Sequence, residues 1–227
     1  MNELDHVTTT RLAYDAVADS YAQMVGTEVS AAIEAPLDRA MLAAFVESVT
    51  GSGAAGRPVA DVGCGPGRVA AYLAAHGLDV VGVDMSPAML AVARAAHPGI
   101  RFEEGLLTEL PVPDRSLAGA VSWGSIIHTP PEHLGDVCTE LARALAPGGE
   151  LLVAFHAGSG EGVHRSQAYG TAVRLTSYRH APDDVARQLA AAGLPIHARA
   201  VREPELYFES TPLAFLVANA PSDPAPE

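Results

Sequence analysis

A doubly wound α/β fold, with a mostly parallel seven-stranded sheet, leading helices and a small cover segment, is what this 227-residue sequence predicts. Three observations predict it. Strand-like and helix-like segments alternate from residue 58 onward, no fixed internal period recurs, and a glycine-rich turn follows the first strand, where such folds bind ligands. A chain of this length buries a sizeable core in one domain, and 48% hydrophobic with 18% charged residues is not the composition of a disordered chain.

Residues 9–25 and 34–49 carry apolar side chains at helical spacing, and Gly51-Ser-Gly-Ala-Ala-Gly56 then breaks the pattern as a flexible connector. The short apolar run 58–62 reads as a strand, 68–75 as the helix after it, 79–83 as a strand, 87–96 as a helix, and 100–103 and 117–123 as strands. Thr129 and two prolines mark the start of a helix over 131–145, and Pro147-Gly148-Gly149 its end, before a fifth strand at 150–156. Residues 157–180, rich in Gly, Ser, His and Tyr without a period, read as an irregular cover. A helix at 182–192, closing strands at 196–201 and 213–219, and a loose Pro-rich tail complete the chain. The expected division is one domain over 1–219, made of a helical cap (1–56), a ligand-binding core (57–157), a cover (158–181) and a closing helix with strands (182–219), followed by the tail 220–227.

No apolar stretch approaches the roughly 20 residues that cross a bilayer, and residues 1–10 hold acids and no apolar signal core, so a cytoplasmic protein without membrane contact is expected. Two cysteines, Cys64 and Cys138, fit no disulfide framework and no zinc or redox spacing. A formal charge of −13 repels phosphate backbones, which argues against a nucleic-acid partner, and favours a cationic ligand. Oligomeric state is not legible.

The chemistry concentrates in Asp61-Val-Gly63-Cys64-Gly65-Pro-Gly67-Arg68, an acid and three glycines between a strand and a helix. Gly63 lets the chain turn, Gly65 lets a ligand approach the backbone, and Gly67 lets the next helix pack close. Asp61, an acceptor-only carboxylate, can hold loop amides and face an ammonium group. The rival reading is the dinucleotide fingerprint, which needs a small residue where Arg68 stands; a ligand-free glycine turn is the other. Asp84, ending the second strand, can accept from both ribose hydroxyls, or serve only as the cap region of the helix opened by Ser86-Pro87.

On Tyr14-Asp-x-x-Ala-x-x-Tyr21, Asp61-Val-Gly-Cys-Gly-Pro-Gly67, Gly82-Val-Asp-Met-Ser-Pro-Ala-Met-Leu90, Leu110-Pro-Val-Pro-Asp-x-Ser116 and Leu145-Ala-Pro-Gly-Gly-Glu-Leu-Leu152, the chain resembles the Rossmann-like class I S-adenosylmethionine-dependent methyltransferases, particularly the small-molecule group related to ubiquinone-biosynthesis methyltransferases. The resemblance implies that S-adenosylmethionine is the cofactor and S-adenosylhomocysteine the product. It implies that the glycine loop (Gly63, Cys64, Gly65, Gly67) holds the methionine moiety, that Asp84 binds the ribose, and that Met85 lies against the adenine, with Met89, Gly105, Leu106 and Leu107 also expected at the cofactor. It implies that Tyr14 and Tyr21 cover the cofactor and that Arg39 reaches the methionine carboxylate, unless it is a surface arginine. Relatives carry an acid where this chain has Leu106, so adenine recognition would pass to backbone groups at Leu106 and Leu107 or to Glu104.

Methyl transfer is an in-line displacement that needs alignment and, for an alcohol or phenol, a base. His128, just past the fourth strand, and His156, ending the fifth, are the candidates; His128 could equally cap or pack at the helix start. Trp123, the lone tryptophan, either walls the cofactor or packs in the core. His164, Arg165, Tyr169, Tyr178, Arg179 and His180 decorate the cover, as recognition residues or as solvated loop residues. His128, Glu132 and His133 lack the spacing of a metal motif, so no metal is expected. The expected activity is methyl transfer to oxygen or nitrogen of a small metabolite. A nicotinamide-dependent oxidoreductase and a non-catalytic cofactor-binding protein are the alternatives.

Overall fold

The computed structural model of the chain describes residues 3–222. Helices α1 (Glu3–Val25) and α2 (Pro36–Gly51) precede an alternation of β1 (Val59–Val62), α3 (Arg68–Ala75), β2 (Val80–Asp84), α4 (Pro87–Ala96), β3 (Arg101–Glu104) and β4 (Leu117–Trp123). Then come α5 (Leu134–Ala144), β5 (Leu145–His156), β6 (Glu161–Arg165), β7 (Leu175–Arg179), α6 (Pro182–Ala191), β8 (Ile196–Arg202) and β9 (Leu213–Asn219). Seven strands form one sheet in the order β3-β2-β1-β4-β5-β9-β8, parallel except for β9, which is antiparallel to both neighbours.

The central strands are buried on both faces, which is why β1 and β4 read as mainly apolar runs, broken by Asp61 and Ser122, and not as alternations. Alternate residues divide between two cores: Ala60, Val62, Val81, Val83 and Ala120 pack against α5 and α6, while Val59, Val80 and Val121 pack with Leu42, Phe45, Leu73 and Leu90 of α2, α3 and α4. Strand order reverses between β1 and β4, so the turns after β1, β2 and β4 diverge there and open a crevice at their carboxyl ends.

Several local expectations need correcting. The cover is not irregular: β6 and β7 pair over five residues as an antiparallel hairpin, separate from the main sheet. With only Leu175 and Ser177 buried on it, the hairpin leaves no apolar alternation to read. The helix over 131–145 begins as a 3-10 turn at Pro131–His133, where the N–H of His133 donates to the carbonyl of Pro130, and turns α-helical only at Leu134. β5 starts at Leu145, five residues before the expected Glu150, and runs through Pro147-Gly148-Gly149. Of the expected tail, residues 223–227 lie outside the described residues. Ala220 is buried and exchanges backbone hydrogen bonds with Gly148 and Gly149, continuing the β5–β9 pairing.

Long-range ion pairs fix the helical cap. Arg202, ending β8, donates to both oxygens of Asp38 on α2 at 2.6 and 2.7 Å and to Glu209 at 2.5 Å, all three being largely shielded from solvent. Asp38 also accepts from the N–H of Ala35 at the start of α2. Removing Asp38 takes from the shielded guanidinium one of its two acids and leaves Glu209 in place, at a cost of up to about 3 kcal/mol. Asp38→Ala is therefore expected to lower the unfolding free energy by up to that amount, read as a reduced urea midpoint at unchanged slope; a loss below about 1 kcal/mol would show the pair to be idle.

Candidate functional site

The glycine turn after β1 is lashed to the end of β2. The N–H groups of Gly63 and Cys64 both donate to the carbonyl of Val83, and the N–H of Gly65 donates to Asp84 Oδ2 at 2.8 Å. Gly63 has φ +78°, and a Cβ there would run into Ser125, whose hydroxyl donates to the carbonyl of Val62 at 2.7 Å. Only glycine lets the turns after β1 and β4 approach this closely.

Asp84 organises the next turn as well. Its Oδ1 accepts from the N–H of Ser86, the cap of α4, and the Ser86 hydroxyl accepts from Met89 N–H while donating to Asp15 of α1 at 2.6 Å. Asp15 also accepts from Ala88 N–H. Two carboxylates thus meet the N-terminus of α4, where its unpaired N–H groups and dipole favour negative charge. Burial, and after it the charge of Asp15, still pushes the Asp84 carboxyl up, against the lowering by its backbone donors.

Behind the turn, Gly67 occupies the N-cap of α3 without a side chain to cap it, and Asp61 supplies the missing acceptor from β1, taking the N–H of Ala70 at 2.8 Å. Burial drives the Asp61 carboxyl up to about 7. Arg68 forms a buried ion pair with Glu34, in the connector before α2, and Glu34 also accepts from Ser30 N–H. The space that a dinucleotide fingerprint reserves for a small residue is filled by this pair.

The other wall comes from α1 and the cover. Tyr14 Oη lies 2.7 Å from His128 Nε2, and His128 Nδ1 lies 2.7 Å from the carbonyl of Thr176 on β7. A carbonyl only accepts, so Nδ1 carries the proton, and neutral Nε2 accepts from the tyrosine hydroxyl. Burial pushes the His128 ring down to about 4, with the positive groups of His156 and Arg165 adding to the effect, and pushes the Tyr14 hydroxyl up. Tyr21 packs edge-on against both Tyr14 and Tyr169, with ring centroids 5.9 and 4.8 Å apart. Tyr169 and Gly170 hold φ +51° and +77° in the tight two-residue turn between Ala168 and Thr171.

Among the expected site residues, the cleft wall brings together Tyr14, Tyr21, Gly63, Gly65, Asp84, Met85, Met89, Gly105, Leu106, Leu107, Trp123 and His128. The cleft measures about 970 Å³ including its open mouth, a size typical of small-ligand sites. Others lie elsewhere. Asp61 and Gly67 support α3, Cys64 is buried in the core with its thiol against the Gly65 carbonyl, and the Arg39 guanidinium donates to the carbonyl of Glu34. His156 ends β5 away from the cleft wall, its ring pushed down by burial and then by Arg165 and Arg179. Glu104 is exposed at the end of β3, and Leu106 spends its N–H and carbonyl on Glu109. Trp123 lines the cleft and packs 5.6 Å from Phe215. Among the described residues no group of three His, Cys, Asp or Glu side chains converges as a metal site, and His133 stacks on His6.

Sequence reasoning missed Asp15, Thr10, Ser125, Thr108 and Thr129. Asp15 stood in plain view within the Tyr14–Tyr21 motif, but its partners Ser86 and Ala88 are more than 70 residues away. Thr10, Thr108 and Ser125 carry no local signal, and Thr129 reads only as the marker of a helix start.

Residues 59–149, from β1 through the glycines of β5, match a family described as a methyltransferase domain. A probable S-adenosylmethionine-dependent methyltransferase of Mycolicibacterium smegmatis is 39% identical over 102 residues, covering 44% of this chain and 38% of that protein. Trans-aconitate 2-methyltransferase of Methylobacterium nodulans is 39% identical over 112 residues, covering 47% of this chain and 41% of that one. The matches thus span less than half the length of these curated relatives. In fold, the chain resembles the crystal structure of magnesium protoporphyrin IX methyltransferase from Synechocystis with bound SAM, at a TM-score of 0.67 and 20% identity over 97% of this chain and 100% of that one.

The neutral His128 sets a pH dependence. Its folded value of about 4 lies below the ordinary 6.5, so between these the unfolded chain binds a proton that the folded chain refuses. The stabilisation is complete above pH 6.5 and is lost as pH falls toward about 4, amounting to about 3 kcal/mol. His128→Gln should flatten the fall in urea stability across that window by this amount; parallel profiles for variant and parent would mean that the ring is not held neutral.

Proposed function

We propose that the chain is a class I S-adenosylmethionine-dependent methyltransferase that transfers a methyl group from S-adenosylmethionine to an oxygen or nitrogen of a small molecule, releasing S-adenosylhomocysteine, a reading supported by its match to a methyltransferase domain over residues 59–149. The observation that carries this reading is the junction of Gly65 and Asp84, which puts bare backbone and an acceptor-only carboxylate side by side on the cleft wall. A nucleoside sulfonium fits there. A Cβ placed on Gly65 would meet nothing nearer than Tyr21 Cε1 at 4.0 Å, so a ligand has room against the turn. Arg68, locked to Glu34, leaves the dinucleotide alternative without its packing site.

In this reading Gly63 and Gly65 border the methionine end, Asp84 accepts from the ribose hydroxyls, and Met85, Met89, Leu106 and Leu107 enclose the adenine, with Thr108 the polar side chain on that wall. Tyr14 and Tyr21 cover the sulfonium end. Asp61, Cys64 and Gly67 hold the turn from behind, and Arg39 and His156 have no direct part. The bound donor supplies an electrophilic methyl carbon on positively charged sulfur.

The chain's own chemistry is alignment and proton removal. An acceptor hydroxyl beside Tyr14 passes its proton to Tyr14 Oη as the tyrosine proton moves to His128 Nε2, and the Thr176 carbonyl steadies the imidazolium through Nδ1–H. A histidine held near 4 is a weak base, yet an oxygen that has just gained a methyl group is far more acidic than imidazolium, so the transfer runs downhill. The charge of −13 favours a small-molecule partner over nucleic acid. Among the described residues no helix is long and apolar enough to cross a membrane.

Calorimetric titration with S-adenosylhomocysteine and with NADH tests the donor site; binding of NADH alone ends the proposal. Asp84→Ala, kept folded, should weaken S-adenosylhomocysteine by more than about tenfold, the worth of a charge-assisted hydrogen bond. With radiolabelled donor and a metabolite extract, Tyr14→Phe should lower label transfer by about a hundredfold while changing S-adenosylhomocysteine affinity less than about threefold. A variant at the parental rate removes the relay.

A further inference from the structure

We infer that the methyl acceptor is a small anion bearing a carboxylate or phosphate, held by Arg165 and Arg174 of the cover in a second cavity that opens off the donor cleft. The inference rests on the methyl-transfer reading of that cleft and adds the class of substrate.

The second cavity shares His6, Thr10 and His128 with the donor cleft, and its far wall is the β6–β7 hairpin with Arg165, Arg174 and Tyr178. The hairpin register sets Arg165 opposite Leu175, and both line this cavity. Arg165 is solvent-exposed at the open side of this cavity, and its charge is felt at His128, His156 and Tyr169. Arg174 enters β7 directly before Leu175.

Neither guanidinium is neutralised from within. Among the described residues no carboxylate stands within 4 Å of Arg165 or Arg174, whereas Arg179 on the same hairpin faces Glu161, and Arg143, Arg187, Arg199 and Arg202 each hold an acid. The acid felt at this cavity is Glu132, and it acts on the Tyr178 hydroxyl. What sets Arg165 and Arg174 apart is their place, since both line this one cavity with no acid partner among the described residues. All the basic residues are arginine, whose planar fork takes carboxylate or phosphate oxygens in pairs.

Position gives the pair its use. An anion seated on the arginines extends past Thr10 toward the Tyr14 hydroxyl, so its charged end is anchored on the cover while its other end, carrying the nucleophilic oxygen or nitrogen, meets the donor cleft. The hairpin carbonyl that fixes His128, Thr176, lies in the same wall, so anchoring the substrate and orienting the base fall to one element.

The experiment loads the full chain with S-adenosylhomocysteine and titrates glutarate and glycerol phosphate by calorimetry, with dimethyl glutarate and glycerol as uncharged counterparts. At least one anion is expected to bind, the counterparts to bind at least about tenfold more weakly, and the double variant Arg165→Gln, Arg174→Gln to lose about tenfold or more of the anion affinity with S-adenosylhomocysteine unchanged. Arg187→Gln, which removes an exposed pair on α6, should change neither affinity. Which anion binds tighter separates the carboxylate source from the phosphate. Failure of both anions, equal binding by an uncharged counterpart, or full affinity in the double variant overturns the inference while the donor site stands. If S-adenosylhomocysteine itself does not bind, the donor reading falls and takes this inference with it.

Discussion

The carboxylate of Asp84 is the tie on which the site depends. One oxygen takes the N–H of Gly65 and the other that of Ser86, so a single side chain sets the distance between the turn after β1 and the turn after β2. A neutral amide in its place would have one acceptor oxygen for two donors and would leave one turn loose. The cost of burying the charge shows in its raised carboxyl, and is offset by the two N–H donors and by the N-terminus of α4. Each carboxylate oxygen offers more than one lone pair, so capping the helix and accepting from a ligand are not exclusive roles. The two readings that the sequence left open are both compatible with one geometry.

Asp15 brings α1 into the same arrangement. By accepting from Ser86 and Ala88 it lays α1 across the start of α4, and one residue earlier Tyr14 reaches His128. Helix, crevice floor and cover are thereby connected through hydrogen bonds: Asp84 to Ser86, Ser86 to Asp15, Tyr14 to His128, and His128 to Thr176. Loss of any link would loosen the position of the tyrosine oxygen relative to the cleft, and alignment is the larger part of what a displacement reaction needs from a protein.

Legibility in the sequence followed the range of the interactions. The central strands and the helices around them declare themselves by apolar period, and the glycine turn by chemistry that only glycine permits, as at Gly63 against Ser125. The hairpin did not, since a two-stranded ribbon exposed on most of its surface has no apolar face to mark. Arg39 and Arg68 show the same limit. Both lie near the turn in sequence or by analogy, yet Arg68 is committed to Glu34 and Arg39 turns to that residue's carbonyl. Nothing local says so, because the partner is defined only once α2 and α3 pack. His128 was legible as a candidate by its place after β4, while its tautomer and its tyrosine, 114 residues away, were not.

Net charge and local field point in different directions here, and distance decides between them. The charge of −13 is spread over the whole surface, and at physiological salt exposed charges are screened beyond about 8 Å, so most of it is not felt within the cleft. What a ligand meets near the donor end is Asp84 and, close behind it, Asp15, while near the cover it meets Arg165 and Arg174. The site is therefore polarised along its length, negative where a cation would sit and positive where the acceptor would be held, with the uncharged Tyr14–His128 pair between. Such a gradient orients a molecule with an anionic end before any close contact forms. A neutral pair at the midpoint keeps this gradient intact, since a protonated His128 would place a positive charge against a sulfonium, and burial that holds the ring down to about 4 prevents it at neutral pH.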